Sequence, residues 1–144
     1  MRKQAPNPII LYGARLVSPY IMLFGLYVIA HGHYSPGGGF QGGALLAASV
    51  LLVRLAAGQN LAQRQIKESS TMPLAILGII IYFGVGLIPA LVGAHFLDYG
   101  KLPIPGVDPV MLRFYGVLVI EAGIGLAVLA VLVMIYDNMV RGEE

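Results

Sequence analysis

Residues 31–43 of the chain read HGHYSPGGGFQGG and separate two long apolar runs. Five of the seven residues from 37 to 43 are glycine. Because each glycine in a helix interior costs about 1 kcal/mol relative to alanine, a helix that carried all five would lose roughly 4 to 5 kcal/mol of intrinsic stability. We therefore expect this glycine segment, residues 31–43, to have a role that offsets its cost, and the apolar runs beside it to decide the fold.

The composition is that of an integral membrane protein. Of the 144 residues, 58% are apolar and only 11% are charged, and the mean hydropathy is +0.81. These values lie outside the usual range of soluble domains. The formal net charge of +2 is small and the basic residues are scattered, so nucleic acid is not an expected partner. The absence of cysteine excludes disulfides, thiolate chemistry and cysteine-ligated metal centres.

Four apolar stretches approach or exceed the length that crosses a membrane. A helix needs about 20 residues to span a hydrocarbon core about 30 Å thick. The stretches cover residues 8–30, 36–57, 73–97 and 110–136. We predict an all-α integral membrane protein in which the whole chain, residues 1–144, forms a single domain of four transmembrane helices in the lipid bilayer.

The distribution of basic residues predicts the orientation of these helices. Four spans place both termini on one side of the membrane, and that side also carries most of the Lys and Arg residues: Arg2, Lys3, Arg15, Arg54, Arg64, Lys67 and Arg141. The other side carries only Lys101 and Arg113. Because cytoplasmic loops are enriched in Lys and Arg, both termini are predicted to be cytoplasmic and the glycine segment is predicted to lie at the outer face.

Two interpretations of the glycine segment are compatible with its residues. Ser35 and Pro36 are typical of a helix start, with the Ser hydroxyl as N-cap and Pro at the first helical position. In one interpretation Gly39 and Gly43 belong to a ridge of small residues that lets another helix pack closely. In the other, residues 31–38 are unwound and line an ion path. Because a helix N-terminus favours anions, a sodium site there would need carbonyl groups or a carboxylate from a partner chain.

Glu121 is the most informative titratable residue. It lies about eleven residues into the fourth stretch, close to the middle of the membrane. A charged carboxylate there costs on the order of 3 kcal/mol unless it is paired, hydrated or protonated. Ion coupling and a neutral, hydrogen-bonded glutamate that joins helices are both open. No basic residue of this chain is an obvious partner, so the partner is expected on another subunit or in water.

Three histidines are further candidates for an ion path. His31 and His33 are two residues apart, a spacing that does not place both on one helical face, and no third ligand is near. A metal site is therefore not favoured, whereas helix capping and proton relay are both open. His95, which Asp98 follows three residues later at the outer end of the third stretch, presents the same choice.

The sequence HGHYSPGGGFQGGALLAAS, preceded by LFGLYVIA, is similar to the signature of the MnhB (MrpB) family, a membrane component of Mrp-type multisubunit sodium/proton antiporters. Its Gly-His, Ser-Pro-Gly-Gly-Gly-Phe and Gly-Gly elements occur in the order and spacing of that family, and the four-span layout covers essentially the whole chain. The residues that match the signature are His31, His33, Pro36, Gly37, Gly38, Gly39, Phe40, Gly42 and Gly43. Homologous subunits also occur in the membrane arms of respiratory membrane-bound hydrogenases and sulfane reductases.

This resemblance implies a noncatalytic, multi-pass subunit in the plasma membrane of a prokaryote. Its implied partners are large antiporter-like subunits and small multi-span subunits that together move Na⁺ and H⁺, and no cofactor is implied. The residues leave two functions open: an ion-coupling subunit, and a structural adaptor whose small-residue faces hold larger transport subunits together. Enzymatic catalysis is not indicated, since a nucleophile, a metal-ligand set and a cofactor fingerprint are all missing from the sequence.

Overall fold

Four long helices make up most of the described protein. A computed structural model describes residues 7–34, 37–57 and 66–141. The helices are α1 (Pro8–Ala30), α2 (Gly39–Ala57), α3 (Glu68–Leu91) and α4 (Pro109–Arg141), and a short 3₁₀ helix, Tyr99–Lys101, lies between α3 and α4. Each of the four is long and apolar enough to cross a membrane. The predicted all-helical fold with four candidate spans is therefore confirmed.

Polar side chains fix the starts of the first and last helices. Asn7 precedes α1, and its side-chain oxygen accepts a hydrogen bond of 3.0 Å from the N–H of Ile9. Asp108 precedes α4, and its Oδ1 accepts a hydrogen bond of 2.9 Å from the N–H of Val110. Such caps satisfy N–H groups that a helix leaves unpaired in its first turn, which explains why α1 and α4 begin where they do.

α2 begins three residues later than predicted. The predicted cap and first residue, Ser35 and Pro36, lie outside the described residues, and the first helical residue is Gly39. Gly38 has a φ of +115°, a left-handed conformation that residues with a side chain rarely adopt. A regular helix cannot continue through this conformation, so α2 starts after it. The carbonyl of Gly38 then accepts an early helical bond of 3.0 Å from the N–H of Gly42.

α3 begins at Glu68 rather than at the predicted Pro73. Pro73 is the sixth residue of the helix, where its missing N–H affects only a carbonyl in the first turn, so the helix tolerates it. The carboxylate of Glu68 is favourable at the N-terminal end of the helix. The hydroxyl of Thr71 donates a hydrogen bond of 2.7 Å to the carbonyl of Glu68 and adds to the stability of this turn.

α3 ends at Leu91, six residues before the predicted end at 97, because Gly93 terminates it. Gly93 has a φ of +87°, and its N–H donates to the carbonyl of Ala90 at 3.2 Å. The N–H of Ala94 donates to the carbonyl of Pro89 at 3.0 Å. These two bonds form a Schellman motif, which ends many helices. α4, by contrast, continues to Arg141, five residues beyond its predicted end.

The helices pack in the order α1, α2, α4, α3. α2 lies between α1 and α4, α1 also reaches α4, and α3 packs against α4. Half of the apolar part of α2 is buried inside the described chain, compared with 17% for α1. α2 and α4 are therefore the inner helices, and α1 and α3 are the outer ones.

Glycine pairs lie at the three main helix crossings: Gly25 with Gly42, Gly43 with Gly125, and Gly78 with Gly123. A Cβ atom added at Gly43 would lie 2.6 Å from the carbonyl oxygen of Gly125, and one added at Gly78 would lie 2.5 Å from the carbonyl oxygen of Gly123. No side chain fits at these distances. The helix backbones therefore approach as closely as small residues allow, which is a common way to join helices in membranes.

The connection between α3 and α4 folds back onto α4. Tyr99 lies against Gly116, where an added Cβ would meet its Cβ at 2.7 Å, and the Nε of Arg113 lies against Gly100. Burial and the neighbouring Tyr82 raise the pKa of the Tyr99 hydroxyl above its usual value, so it remains neutral at physiological pH. The connection thus covers the part of α4 that precedes Glu121.

The outward faces of α1 and α3 carry large, exposed apolar side chains, among them Leu16, Leu23, Ile79 and Ile80. A soluble monomer rarely exposes apolar surface on this scale. In a membrane, lipid tails or other transmembrane subunits cover such faces.

Candidate functional site

The glycine segment meets α4 at Glu121. α1 ends at Ala30, residues 31–34 form turns, and α2 begins at Gly39. The backbone of Glu121 lies against Gly39, where an added Cβ would be 3.0 Å from the Cα of Glu121. The glycine segment, predicted at the outer face, and Glu121, predicted near mid-membrane, are therefore at the same depth. Two features that are separate in the sequence form one site.

Gly32, Gly38 and Gly39 form a slot that receives Glu121, and we call these three residues the glycine slot. A Cβ added at Gly32 would lie 2.5 Å from Oε1 of Glu121 and 2.5 Å from the Cα of Gly38. A Cβ added at Gly38 would lie 3.1 Å from the same oxygen. At Gly32 no side chain larger than hydrogen fits while the carboxyl group stays in place.

Two groups that favour negative charge lie beside the Glu121 carboxyl group. The first is the start of α2, since a helix N-terminus carries unpaired N–H groups and a partial positive charge. The second is the imidazole ring of His33, which interacts electrostatically with the carboxyl group. Glu121 of the same chain thus places a carboxyl group at this helix start. A carbonyl or carboxylate from a partner chain for a sodium site, and a partner of Glu121 on another subunit or in water, stay predictions.

The ring of His33 is packed between two aromatic rings while its nitrogens have no partner in the described part of the chain. The ring centroid of Tyr34 is 4.1 Å away and that of Phe114, on α4, is 4.5 Å away. Both ring nitrogens of His33 and Oε2 of Glu121 are buried without a hydrogen bond among the described residues. Buried polar atoms are nearly always hydrogen-bonded, because leaving them unpaired is costly. A proton, a water molecule or an ion at this position would satisfy them.

The other titratable candidates have different surroundings. His31 is exposed and stacks on Tyr27 at 4.1 Å, and its Nδ1 lies 3.2 Å from the carbonyl oxygen of Tyr27. His95 and Asp98 lie in the turn after α3, where the N–H of Asp98 donates to the carbonyl of His95 at 3.1 Å. His95 is exposed and Asp98 is half-buried. These two residues therefore belong to the connection that covers α4 before Glu121.

The remaining residues of the signature divide between two helix contacts and an open face. Gly42 faces α1, where an added Cβ would be 2.8 Å from the carbonyl oxygen of Gly25, and Gly43 faces α4. Phe40 is 65% exposed and points away from the bundle. Gly37 lies in the non-helical stretch before α2, and Pro36 lies outside the described residues.

A buried ion pair between Arg54 and Asp137 is not predicted by the sequence. The pattern of basic residues places Arg54 at the cytoplasmic side, and the predicted end of the fourth span places Asp137 in a charged tail. Arg54 is 2% exposed and forms an ion pair with Asp137, and its Nη2 donates a hydrogen bond of 2.8 Å to the carbonyl of Ile66. Asp137 reaches Arg54 because α4 continues past the predicted end at 136. The only signal in the sequence is that both residues lie near the ends of apolar runs.

Several known proteins with similar sequences are antiporter subunits. Residues 9–134 match the family model described as a domain related to the MnhB subunit of Na⁺/H⁺ antiporter. The chain is 35% identical over 111 residues to the Na⁺/H⁺ antiporter B protein of Bacillus subtilis (strain 168), covering 74% of this chain and 77% of that protein. It is 32% identical over 111 residues to the protein of the same name from Alkalihalophilus pseudofirmus, covering 74% of this chain and 76% of that protein.

A solved structure has the same fold. It is that of the membrane-bound sulfane sulfur reductase, an archaeal respiratory membrane complex, one chain of which matches with a TM-score of 0.66 and 32% identity. The match covers 96% of this chain and 60% of that chain, so the protein spans about three-fifths of the length of its structural relative. Because the family match extends over most of the sequence, the chain belongs to the MnhB family of Na⁺/H⁺ antiporter subunits.

Proposed function

We propose that the protein is a noncatalytic membrane subunit of a multisubunit Mrp-type Na⁺/H⁺ antiporter, in which it contributes to ion translocation and to assembly. Its family and its similarity to antiporter subunits of the MnhB type support this function. The exposed apolar faces of α1 and α3 fit contacts with large antiporter-like subunits and small multi-span subunits. The complex would lie in the cell membrane of a prokaryote and exchange Na⁺ for H⁺.

One observation carries the role in ion translocation: the carboxyl group of Glu121 lies in the glycine slot beside His33. A glutamate that only joined helices would be hydrogen-bonded, whereas Oε2 of Glu121 has no partner among the described residues. An unpaired carboxylate is costly at this depth unless water or a proton reaches it. Glu121 therefore takes up and releases a proton, and the start of α2 together with His33 stabilises its anionic state.

In the second candidate function, the protein is the homologous subunit in the ion-pumping membrane arm of a respiratory complex. The fold shared with a chain of the sulfane sulfur reductase favours it. Glu121 and His33 would have the same role there, driven by a redox reaction in other subunits instead of by a sodium gradient. A purely structural adaptor is the third candidate, and it differs from both because its residues would move no ion.

We expect Glu121→Gln to lower sodium-dependent proton exchange about tenfold or more in the assembled complex, because proton-transfer groups contribute factors of about 10² or more and an amide cannot titrate. His33→Ala is expected to lower exchange as well, since it removes the imidazole ring that interacts electrostatically with the carboxyl group. Exchange is measured in everted membrane vesicles with a pH-sensitive dye, and the abundance of the complex is measured in the same membranes.

Glu68→Gln is the matched control for Glu121→Gln. Glu68 lies at the start of α3 in an exposed ion pair with Arg141, and such pairs contribute about 1 kcal/mol or less. Exchange should therefore stay within about twofold of the native level. If the Glu121 and His33 variants assemble at normal abundance and exchange is unchanged, the translocation role of these residues is wrong and the adaptor function is favoured.

The proposed orientation places both termini and the connection between α2 and α3 in the cytoplasm. The chain has no native cysteine, so single cysteines report on one position each. We expect a membrane-impermeant maleimide to label Ile104→Cys, in the exposed connection between α3 and α4, on intact cells. Glu144→Cys should be labelled only after the cells are opened. Labelling of Glu144→Cys on intact cells would contradict the proposed orientation and indicate the opposite one.

A further inference from the structure

The ion pair of Arg54 and Asp137 lies at the end of α2 that is remote from the glycine slot. The Arg54 side chain is 1% exposed and that of Asp137 is 17% exposed. A buried charge is stable only with a partner, and removing one member of such a pair is strongly destabilising. Arg54 also donates to the carbonyl of Ile66 at 2.8 Å. One side chain therefore joins α2, α4 and the segment that leads into α3.

α2 and α4 run parallel with a constant register between the ion pair and the glycine slot. The residues in contact are Gly39 with Glu121, Gly43 with Gly125, and Arg54 with Asp137. Their sequence separations are 82, 82 and 83 residues. At a rise of about 1.5 Å per residue, the 15 residues from Gly39 to Arg54 cover about 22 Å. The two sites thus lie at opposite ends of one pair of aligned helices.

The contacts of α2 with α4 along this length join glycines of α2 to the backbone and to β-branched side chains of α4. Cβ atoms added at Gly39 and Gly43 would lie 2.8 Å from Cβ of Ile124 and 2.9 Å from Cβ of Val128. Gly43 faces the backbone of Gly125, and Ala47, one turn further along α2, is 1% exposed. Small residues let helices approach closely but present low ridges, so they oppose sliding along the helix axis less than large interlocking side chains do. The Arg54 guanidinium, with bonds to Asp137 and Ile66, adds a directional polar contact to these steric contacts.

We infer that the ion pair of Arg54 and Asp137 sets the axial register of α4 on α2 and so holds Glu121 in the glycine slot. Arg54 and Asp137 are positioning residues for Glu121. A slip by one residue along the axis would move the carboxyl group by about 1.5 Å, far enough to collide with Gly32 or to leave it. The inference rests on the proposed function only where it concerns the effect of the ion pair on transport. The effect of the ion pair on the position of residue 121 does not depend on the proposed function.

The first test measures position in the membrane-assembled complex. Glu121→Cys supplies the only thiol of this chain, and its labelling rate with a small maleimide reports how well residue 121 is protected in the slot. The rate is compared with and without Arg54→Met/Asp137→Leu, which replaces the buried pair by apolar residues of similar size. Such replacements often retain or increase stability. They remove the directional polar contact and leave no unpaired buried charge.

We expect the double replacement to raise the labelling rate of Glu121→Cys about tenfold, because without the directional contact residue 121 spends more time outside the slot, and a tenfold change corresponds to about 1.4 kcal/mol. Two matched controls should leave the rate unchanged. Glu68→Gln/Arg141→Gln removes the exposed ion pair. Ser18→Cys, in place of Glu121→Cys, reports the α1–α2 contact, where the Ser18 hydroxyl donates to the carbonyl of Ser49 at 2.9 Å.

An unchanged labelling rate at position 121 in the double replacement would overturn the inference, as would an equal increase at Ser18→Cys, which indicates general loosening. If the double replacement does not reach the membrane, Arg54→Lys keeps both charges of the pair and removes the planar group that bonds to Asp137 and Ile66 together. It is then expected to raise the labelling rate at least about twofold, and native labelling would overturn the inference. Increased labelling of residue 121 together with normal exchange in Glu121→Gln supports the register and contradicts the proposed function.

Discussion

Gly39→Ala is expected to prevent normal assembly of the protein, with a loss of stability of about 3 kcal/mol or more. The added methyl group would collide with the carbonyl oxygen of Glu121 and lie 2.8 Å from Cβ of Ile124 and 3.0 Å from Cα of Glu121. Two of these three atoms belong to the backbone of α4 and cannot rotate away. α2 and α4 must therefore separate at the level of the slot, which also weakens the crossing of Gly43 with Gly125.

The abundance of the chain in membranes measures this effect, and Gly84→Ala is the matched control. Gly84 is also helical, in α3, but an added Cβ there has no heavy atom of the described chain within 4 Å. Alanine is favoured over glycine in helices by about 1 kcal/mol, so this control should be as abundant as the native chain or more so. Native abundance of Gly39→Ala would mean that α2 and α4 are not in backbone contact at this point.

Gly32→Ala is expected to reduce exchange per assembled complex as strongly as Glu121→Gln, by about tenfold or more. The added Cβ takes the space of both carboxyl oxygens of Glu121. The φ of Gly32, unlike that of Gly38, lies outside the left-handed region, so alanine itself is not strained there. The carboxyl group is the end of a flexible side chain and leaves the slot, but the added Cβ also lies 2.5 Å from Cα of Gly38, so the backbone before α2 must shift as well. The loss should therefore appear in exchange per complex and, in part, in abundance.

Gly93→Ala provides the opposite control for this prediction. Gly93 has a φ of +87° but no heavy atom of the described chain within 4 Å of an added Cβ, so alanine there introduces backbone strain without filling the slot. It should lower abundance and leave exchange per complex near the native value. Combining Gly32→Ala with Glu121→Gln should lower exchange no further than either change alone, because both act on one group. Additive losses of exchange would show that Gly32→Ala does not act through the carboxyl group of Glu121.

The helices could be predicted from local properties of the sequence, and the same properties select Glu121 as a candidate residue. Apolar length predicts the four spans, and a carboxylate in the middle of one of them is unusual wherever its neighbours lie. The cost of glycine in helices likewise predicts, from the local sequence alone, that residues 31–43 have a role that offsets this cost. None of these inferences requires knowledge of which helices touch.

The composition of the site could not be predicted, because it depends on contacts between distant parts of the chain. The pairing of Glu121 with Gly32 and His33 requires that α4 packs beside α2 and that α2 starts after Gly38. The end of α3 could not be predicted from hydropathy, because the apolar run continues beyond it. The left-handed conformation of Gly93 ends the helix instead. Arg54 likewise resembles a surface charge in the sequence, because no local signal shows that α4 extends to meet it.

The constant separation of 82 to 83 residues between the contacting positions of α2 and α4 has a consequence for the order of membrane insertion. α1 and α2 can pair as soon as both are synthesised, but α2 meets α4 only after α3 and its long connection have followed. Contacts so distant in sequence form late, because the intervening chain must first be ordered. Until then Arg54 lacks Asp137 and the slot lacks its carboxylate. Glu121 therefore enters its site only once α4 is inserted, after α1 and α2 have paired.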